Sequence, residues 1–372
     1  MLGRSLCYSL CCSLRRSAVV SILTITAACS SDKSNGPAVS TFLKGTSSNH
    51  QIGVVVNSTG HALTLFQLGD PTNTKQIALG ASNAVTPVAF SINGINAAVP
   101  LGDASSVALV NLNTLAITRF FLFAAGNTTG QAFVDDTTIF AANTDSGYVG
   151  RFTAGQKSDT ISDTVHVAPS PTDLEVSGST VFVISANLNS NFEPNGNGIV
   201  TAINAKTLAV IGTVTTGGTN SNAGAIGPDG NLYVVNTGDF VNPGSMTIIN
   251  PSTLQVISTV SNVGVGPGAI AIDSKGLVYI SGFATGTVIW NIGTQAFVRG
   301  PNNPLCAPVS GGACRGAFDA RPDTAGNVYQ VFFGSPSQNQ NPYVFVYQAG
   351  SYALTDSIAV GPGPSAIRIA SF

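Results

Sequence analysis

Charged side chains are scarce in this chain. Lys and Arg number 15, Asp and Glu 17, and together they make up 9% of the 372 residues, against about a quarter in an ordinary soluble domain. The resulting charge of -2 leaves no basic footprint for a nucleic-acid partner. Tryptophan occurs once, methionine twice and histidine three times. Histidines this scattered supply neither a metal-type cluster nor a Ser/His/Asp order. No Cys-x-x-Cys-His is present, which excludes covalent c-type haem. Beyond the first thirty residues no uninterrupted apolar run is long enough to span a bilayer, although the mean hydropathy is +0.30.

What remains is a chain that is 44% hydrophobic, with 41 Gly and 19 Pro, whose polarity comes from Ser, Thr, Asn and Gly. Such usage is globular and suits short strands and turns rather than helices.

Residues 1–28 read as an export signal. Arg4, Arg15 and Arg16 precede the apolar stretch Ser17 to Thr26, which ends in Ala27-Ala28-Cys29. A basic segment, a short apolar segment and small residues at the break make a secretory signal, too short for a membrane span. The segment resembles a bacterial lipoprotein signal, in which the Cys, here Cys29, carries the lipid. Thr26 departs from that pattern's usual Leu, and cleavage after Ala28 to release a soluble protein is the alternative. Residues 29–48, rich in Ser, Asn, Lys and Gly, read as a flexible tether. Cys7, Cys11 and Cys12 leave with the signal, so the folded part keeps Cys306 and Cys314, expected to form one disulfide in an oxidising compartment. The expected location is the cell envelope, lipid-anchored on the periplasmic side or at the surface, with the outer membrane favoured because Ser30 and Ser31 follow Cys29.

Residues 49–372 are one unit used seven times, the period of about 40 to 50 residues that marks a propeller or solenoid. The clearest copy is Pro267–Gly276, Leu277–Ser281, Thr287–Asn291 and Gln295–Arg299, four short strands with polar turns. An Asn-x-x-Thr turn follows the third strand at Asn111, Asn204, Asn250 and Asn291. Aligning the first strands places Phe90, Phe133, Leu174, Ile226, Ile270, Phe318 and Ile367 in one column. The column before it holds Ala89, Ala132, Asp173, Ala225, Ala269, Ala317 and Ala366. The column after it holds Ser91, Val134, Glu175, Gly227, Ala271, Asp319 and Arg368. The last unit has only Pro364–Ala370, and its other three strands are available at Ile52–Val56, Ala62–Phe66 and Lys75–Leu79. The fold class is therefore all-β, a seven-bladed β-propeller of four-stranded blades closed by joining the two ends in one blade.

Leu232-Tyr-Val-Val-Asn-Thr-Gly238, Ser245-Met-Thr-Ile-Ile-Asn-Pro-Ser-Thr253 and the Val-Gly-x-Gly-Pro ending at Pro267 resemble the YVTN-type β-propeller repeat. The resemblance implies an exported or surface-attached bacterial seven-bladed propeller, and it implies no activity.

In a propeller the loops joining second to third strands share one face with the blade-to-blade connections, and here those loops are long: Asn187–Gly198, Asn236–Gly244, Gly334–Pro342 and the cysteine-bearing Gly300–Arg315. Growth on one face points to contact with a ligand; neutral drift of surface loops is the alternative. Asp173, Glu175, Asp319 and Arg368 should border the central channel, either as a salt bridge between Asp319 and Arg368 with Glu175 solvated, or as polar groups orienting a small ligand at the channel mouth. Glu193, Asp239 and Arg315 would add to the site from the top loops, the first two as oxygen ligands for Ca²⁺ or another divalent ion, although no calcium-loop spacing is present. His166 falls in a strand and reads as a wall residue.

Two functions follow. The first is a non-catalytic, envelope-anchored binding or scaffold propeller, monomeric and without a cofactor, that recognises a protein, peptide or glycan through its long-loop face. The alternative is a metal-assisted lactonase or lyase-like enzyme with its site at the channel mouth, which Arg368 would oppose.

Overall fold

A computed structural model of the protein describes residues 40–44, 51–306, 314, 316–334 and 341–372. The signal segment 1–28, Cys29, His50 and Arg315 lie outside the described residues, as do most of the expected tether and parts of two long loops. Seven antiparallel four-stranded sheets make up the described part. Their innermost strands are Ser91–Asn93, Thr128–Phe133, Pro171–Ser177, Ser221–Ile226, Pro267–Ile272, Asp319–Pro322 and Pro364–Ser371, for the first to seventh blades. Each innermost strand touches the next, and that of the seventh blade touches that of the first, so the strands form a closed ring around an axis. Among the described residues no helix is long and apolar enough to cross a membrane.

The second strand of each blade explains why this part of the chain is so apolar. Leu232–Asn236, Val328–Phe332 and Gln51–Asn57 are buried at every position, because each sheet is covered on both faces by its neighbours. Side chains alternate across the sheet with period two, so Tyr233 and Val235 pack toward the fifth blade while Leu232 and Val234 pack toward the third. Among the described residues seven apolar clusters result, one at each of the seven blade junctions.

The seventh blade is built as expected. Pro364–Ser371 pairs antiparallel with Gln51–Asn57, Arg368 opposite Val54 and Ile367 opposite Val55, and the sheet continues through Ala62–Gln67 and Asp70–Ala78. The expected tether is corrected in one place. Thr41–Lys44 forms a short helix whose Leu43 is 0% exposed in the cluster between the seventh and first blades. Gln67 Nε2 donates to Phe42 O at 2.8 Å, and Lys75 lies over the Phe42 ring.

The recurrent Asn has the mechanical role its spacing implies. Asn204 Oδ1 accepts from Lys206 N at 3.0 Å and Thr207 N at 2.9 Å, and Asn111 and Asn250 each accept two backbone N–H bonds in the same way. The residue after the Thr then takes a left-handed conformation: Leu115, Leu208, Leu254 and Gln295 have φ of 56°, 62°, 53° and 51°. Side chains pay a steric cost there that glycine does not.

The strand register corrects three of the seven alignments. The turn from first to second strand is closed by Val134 N to Thr138 O, Gly227 N to Asn231 O, Asp273 N to Leu277 O and Asp323 N to Asn327 O. Counted back from these turns, the second, fourth and sixth blades are displaced by two residues from the sequence alignment. The column of Asp173 in fact holds Gly130, Ala223 and Asp319, and that of Glu175 and Arg368 holds Ala132, Ala225 and Arg321. The column of Leu174 holds Gln131, Gly224 and Ala320, so it is not uniformly large and apolar. A slip of two residues keeps every side chain on its own face, so apolar alternation could not reveal it.

Ile367 is fully buried between the sixth and seventh blades, and Ile367→Ala should cost about 2 to 5 kcal/mol by large-to-small loss in a packed core. Gln295 is exposed at its left-handed position, so Gln295→Gly should raise stability by about 0.5 to 1 kcal/mol while Asn291→Ala, which removes the acceptor for Thr294 N, lowers it by about 1. Urea unfolding of the three variants checks both directions.

Candidate functional site

The ring of inner strands encloses a cavity of about 810 Å³, the size of a small-molecule site. Its wall includes Asp173, Glu175, Asp319, Arg321 and Arg368, and it reaches out to Asn220, Thr237, Phe240, Phe283 and Phe333. The last four belong to the loops after the second strands, so the cavity opens on the long-loop face. Arg321 and Arg368 also line a second cavity of about 360 Å³ beside the short turns Asp273–Lys275 and Asp323–Gly326 at the other face. The two guanidinium groups therefore stand between the two openings.

Asp319 is the anchor of this floor. It is 1% exposed and takes Arg321 Nε at 3.1 Å, Arg368 through one amino group at 3.1 Å, Ile367 N at 3.1 Å and Ala320 N at 2.9 Å. A buried carboxylate needs this many donors to offset its lost hydration. Arg368 completes its surroundings with the Ile367 carbonyl and the face of Phe90, 5.5 Å from the ring centroid. The expected Asp319–Arg368 bridge is thus present, and Arg321, which the displaced alignment missed, makes it a triad.

Asp173 occupies in the third blade the place that Asp319 occupies in the sixth. Its Oδ2 accepts from Gly224 N at 3.0 Å, as Asp319 accepts from Ile367 N, each reaching the backbone of the next blade. Gly130 of the second blade makes room for it, since a Cβ there would lie 2.5 Å from Asp173 Cα. Among the described residues no arginine bonds Asp173, and burial holds its carboxyl above the usual range, opposed by the Gly224 N–H and the charge of Arg368.

Glu175 was expected to be solvated. It is half-buried, makes no hydrogen bond or ion pair among the described residues, and burial, with Asp173 adding to it, pushes its carboxyl up to about 8. Desolvation in turn holds the Arg368 guanidinium down to about 10, with Arg321 adding to the effect.

Aromatic side chains form the mouth. Phe240 and Phe283 lie 5.6 Å apart, and Phe318 and Phe333 stack at 4.9 Å. Phe240, Phe283 and Phe318 are 53%, 45% and 39% exposed, unusual for residues of this size. Gly266, at a φ of 65°, lets Phe283 lie against it; a Cβ there would meet the ring at 2.3 Å. This rim was missed in the sequence. Its signal is an aromatic residue shortly after the end of the second strand, at Phe240, Phe283 and Phe333.

The remaining expected site residues that are described, Glu193 and Asp239, stay apart from the cavity. Asp239 is turned into its own loop, where Asn242 N, Asn242 Nδ2 and Val241 N hold its carboxyl below the usual range. Glu193 accepts from Asn189 Nδ2. Among the described residues no three His, Cys, Asp or Glu side chains converge on a common point. His166 lies on the outermost strand of the second blade against Tyr148. The Cys306–Cys314 disulfide is formed, with the Cα atoms 5.1 Å apart. Beside it Leu305 pairs with Thr287, and the buried Gln330 and Tyr347 side chains donate to Leu305 O and Cys306 O.

Glu175 gives the domain a defined pH response. Its folded pKa, about 8, lies above its ordinary value of 4.5, so the folded state keeps a proton that the unfolded chain has already released. This contribution to stability is complete below about pH 4.5 and is lost as the pH rises through about 8. Glu175→Gln, neutral throughout, should flatten the decline of melting temperature between about pH 5 and 8.5 and melt above the parent at the alkaline end; thermal unfolding across that range reads it.

No protein-family model matches the chain, and no curated protein matches it. Solved structures do. A chain described as Kuenenia stuttgartiensis Hydrazine Synthase superposes with a TM-score of 0.60 at 13% identity, covering 77% of this chain and 90% of that one. A functionally unknown protein from Desulfotomaculum acetoxidans DSM 771 superposes with a TM-score of 0.64 at 17% identity, covering 86% and 99%. At such identities the likeness is one of fold, and the chain is a seven-bladed β-propeller.

Proposed function

We propose that this propeller is a binding protein of the cell envelope, of the YVTN-type repeat group, which takes the end of a peptide or glycan into the cavity on its long-loop face and performs no chemistry on it. The observation that carries this reading is the cavity itself: an aromatic rim over a polar floor, of ligand size and open on the face where the loops have grown. Stacking rings with a few fixed polar groups beneath them are the ordinary furniture of recognition. The floor is built to stay as it is. Asp319 is saturated with donors, and the two arginines are tied to it. The alternative of a metal-assisted lactonase or lyase would need oxygen ligands converging on the axis, where Arg321 and Arg368 repel a cation. The envelope address draws support from the signal-like residues 1–28, from Cys29 as the lipid acceptor and from the disulfide.

The test uses labelled protein on an array of synthetic peptides and oligosaccharides, with the double variant Phe240→Ala/Phe283→Ala alongside. The parent should hold a restricted set of probes and the double variant should lose about tenfold or more in affinity, as for removal of aromatic anchors, with unchanged melting. Equal binding by the two proteins would sink the reading. So would a stoichiometric divalent ion that survives dialysis in the parent and disappears in Asp173→Ala and Glu175→Ala, which would favour the enzyme.

A further inference from the structure

The floor of the cavity has two electrical poles. Glu175, Arg321 and Arg368 occupy equivalent places in their inner strands, so they stand at one level along the axis. The third blade, which carries Asp173 and Glu175, is three blades away from the sixth in one direction and three from the seventh in the other. The unbridged carboxyls therefore face the two guanidiniums across the channel, close enough for each pole to act on the other.

Both poles keep unused capacity. Glu175 accepts no hydrogen bond among the described residues, and Asp173 accepts from a protein backbone N–H on Oδ2. Arg321 bonds Asp319 through Nε, and its two terminal amino groups donate to no atom among the described residues. Arg368 has one terminal amino group in the same condition. A guanidinium so placed can still grip a carboxylate. A neutral glycan could hydrogen-bond these groups through its hydroxyls but would bring a compensating charge to neither pole. A simple anion would satisfy the arginines and face the carboxyls; a simple cation would do the reverse.

We infer that the cavity takes a small zwitterion of the amino-acid or short-peptide kind, with its ammonium group against Asp173 and Glu175, its carboxylate on Arg321 and Arg368, and an apolar side group under Phe240 and Phe283. This rests on the binding reading above and names the class of ligand for the same site. Complementary charge at both ends fixes the direction in which the ligand lies. Arrival of an ammonium group beside Glu175 favours its ionised form, so binding near neutral pH expels a proton from the floor.

Calorimetric titration with the dipeptide Ala-Phe, its N-acetyl form and its C-terminal amide tests this directly on the unaltered protein. Ala-Phe should bind, and each capped form should be weaker by about tenfold or more, the loss expected when one charge-assisted contact disappears. Heats measured near neutral pH in buffers of different ionisation enthalpy should show proton release with Ala-Phe and none with its N-acetyl form. Glu175→Gln should weaken Ala-Phe and the amide while sparing the N-acetyl form. Arg321→Met should weaken Ala-Phe and the N-acetyl form while sparing the amide; Arg321→Lys, which keeps the charge beside Asp319, gives the same order if the Met variant does not fold. Equal binding of all three forms overturns the zwitterion. If no dipeptide binds but cellohexaose does, and Phe240→Ala/Phe283→Ala abolishes it, the zwitterion falls and the binding function stands. If neither dipeptides, cellohexaose nor any array probe binds, both fall.

Discussion

The packing of one sheet against the next is the interaction on which everything else here depends. No blade has an interior of its own: Leu232 and Val234 serve the junction with the third blade while Tyr233 and Val235 serve the junction with the fifth. A blade removed from the ring would expose both faces of its second strand at once, and each junction is only as good as the two sheets that share it. The ring must therefore close. Pairing of Pro364–Ser371 with Gln51–Asn57 does this and at the same time buries Ile367 and Val55 at the last junction.

Closure also creates the site. Seven inner strands around an axis leave a channel whose wall is read out by one side chain per strand per level, and most levels are filled by Ala, Gly or Ser. Small residues keep the channel open, and Asp173, Glu175, Asp319, Arg321 and Arg368 stand out against them. In a protein with so few charges, five ionisable groups gathered on one cavity wall are a concentrated use of them. Their arrangement is asymmetric: the Asp319 carboxylate is saturated with donors, whereas among the described residues the pair in the third blade receives one backbone N–H and no arginine.

The architecture was legible because propeller repeats combine two periodicities. Alternation along each strand gave the faces, and the Asn-x-x-Thr turns gave the period, since Asn204 and Asn250 organise their turns through their own side chains. The split seventh blade followed from a strand left without company. The site was legible in part. Asp173, Glu175, Asp319 and Arg368 were all placed on the channel, yet Arg321 was not, because the sixth blade was read two residues out of frame. Parity is all that apolar alternation reports, so Asp319 could be assigned to the correct face and to the wrong level. The phenylalanine rim was invisible for another reason: Phe240, Phe283 and Phe318 sit in connections of unequal length, and only the closed ring brings them to one mouth.

The join between the two ends has a kinetic side. Gln51–Asn57 pairs on one edge with Ala62–Gln67, nearby in sequence, and on the other with a strand about 300 residues further on. As the chain is made, that second edge stays apolar and unpaired at least until Pro364–Ser371 has been added. At about 5 to 20 residues per second the wait lasts on the order of tens of seconds, an interval in which a bare strand edge can recruit the wrong chain. The strand at Pro364–Ser371 therefore decides when the open edge of Gln51–Asn57 is safe.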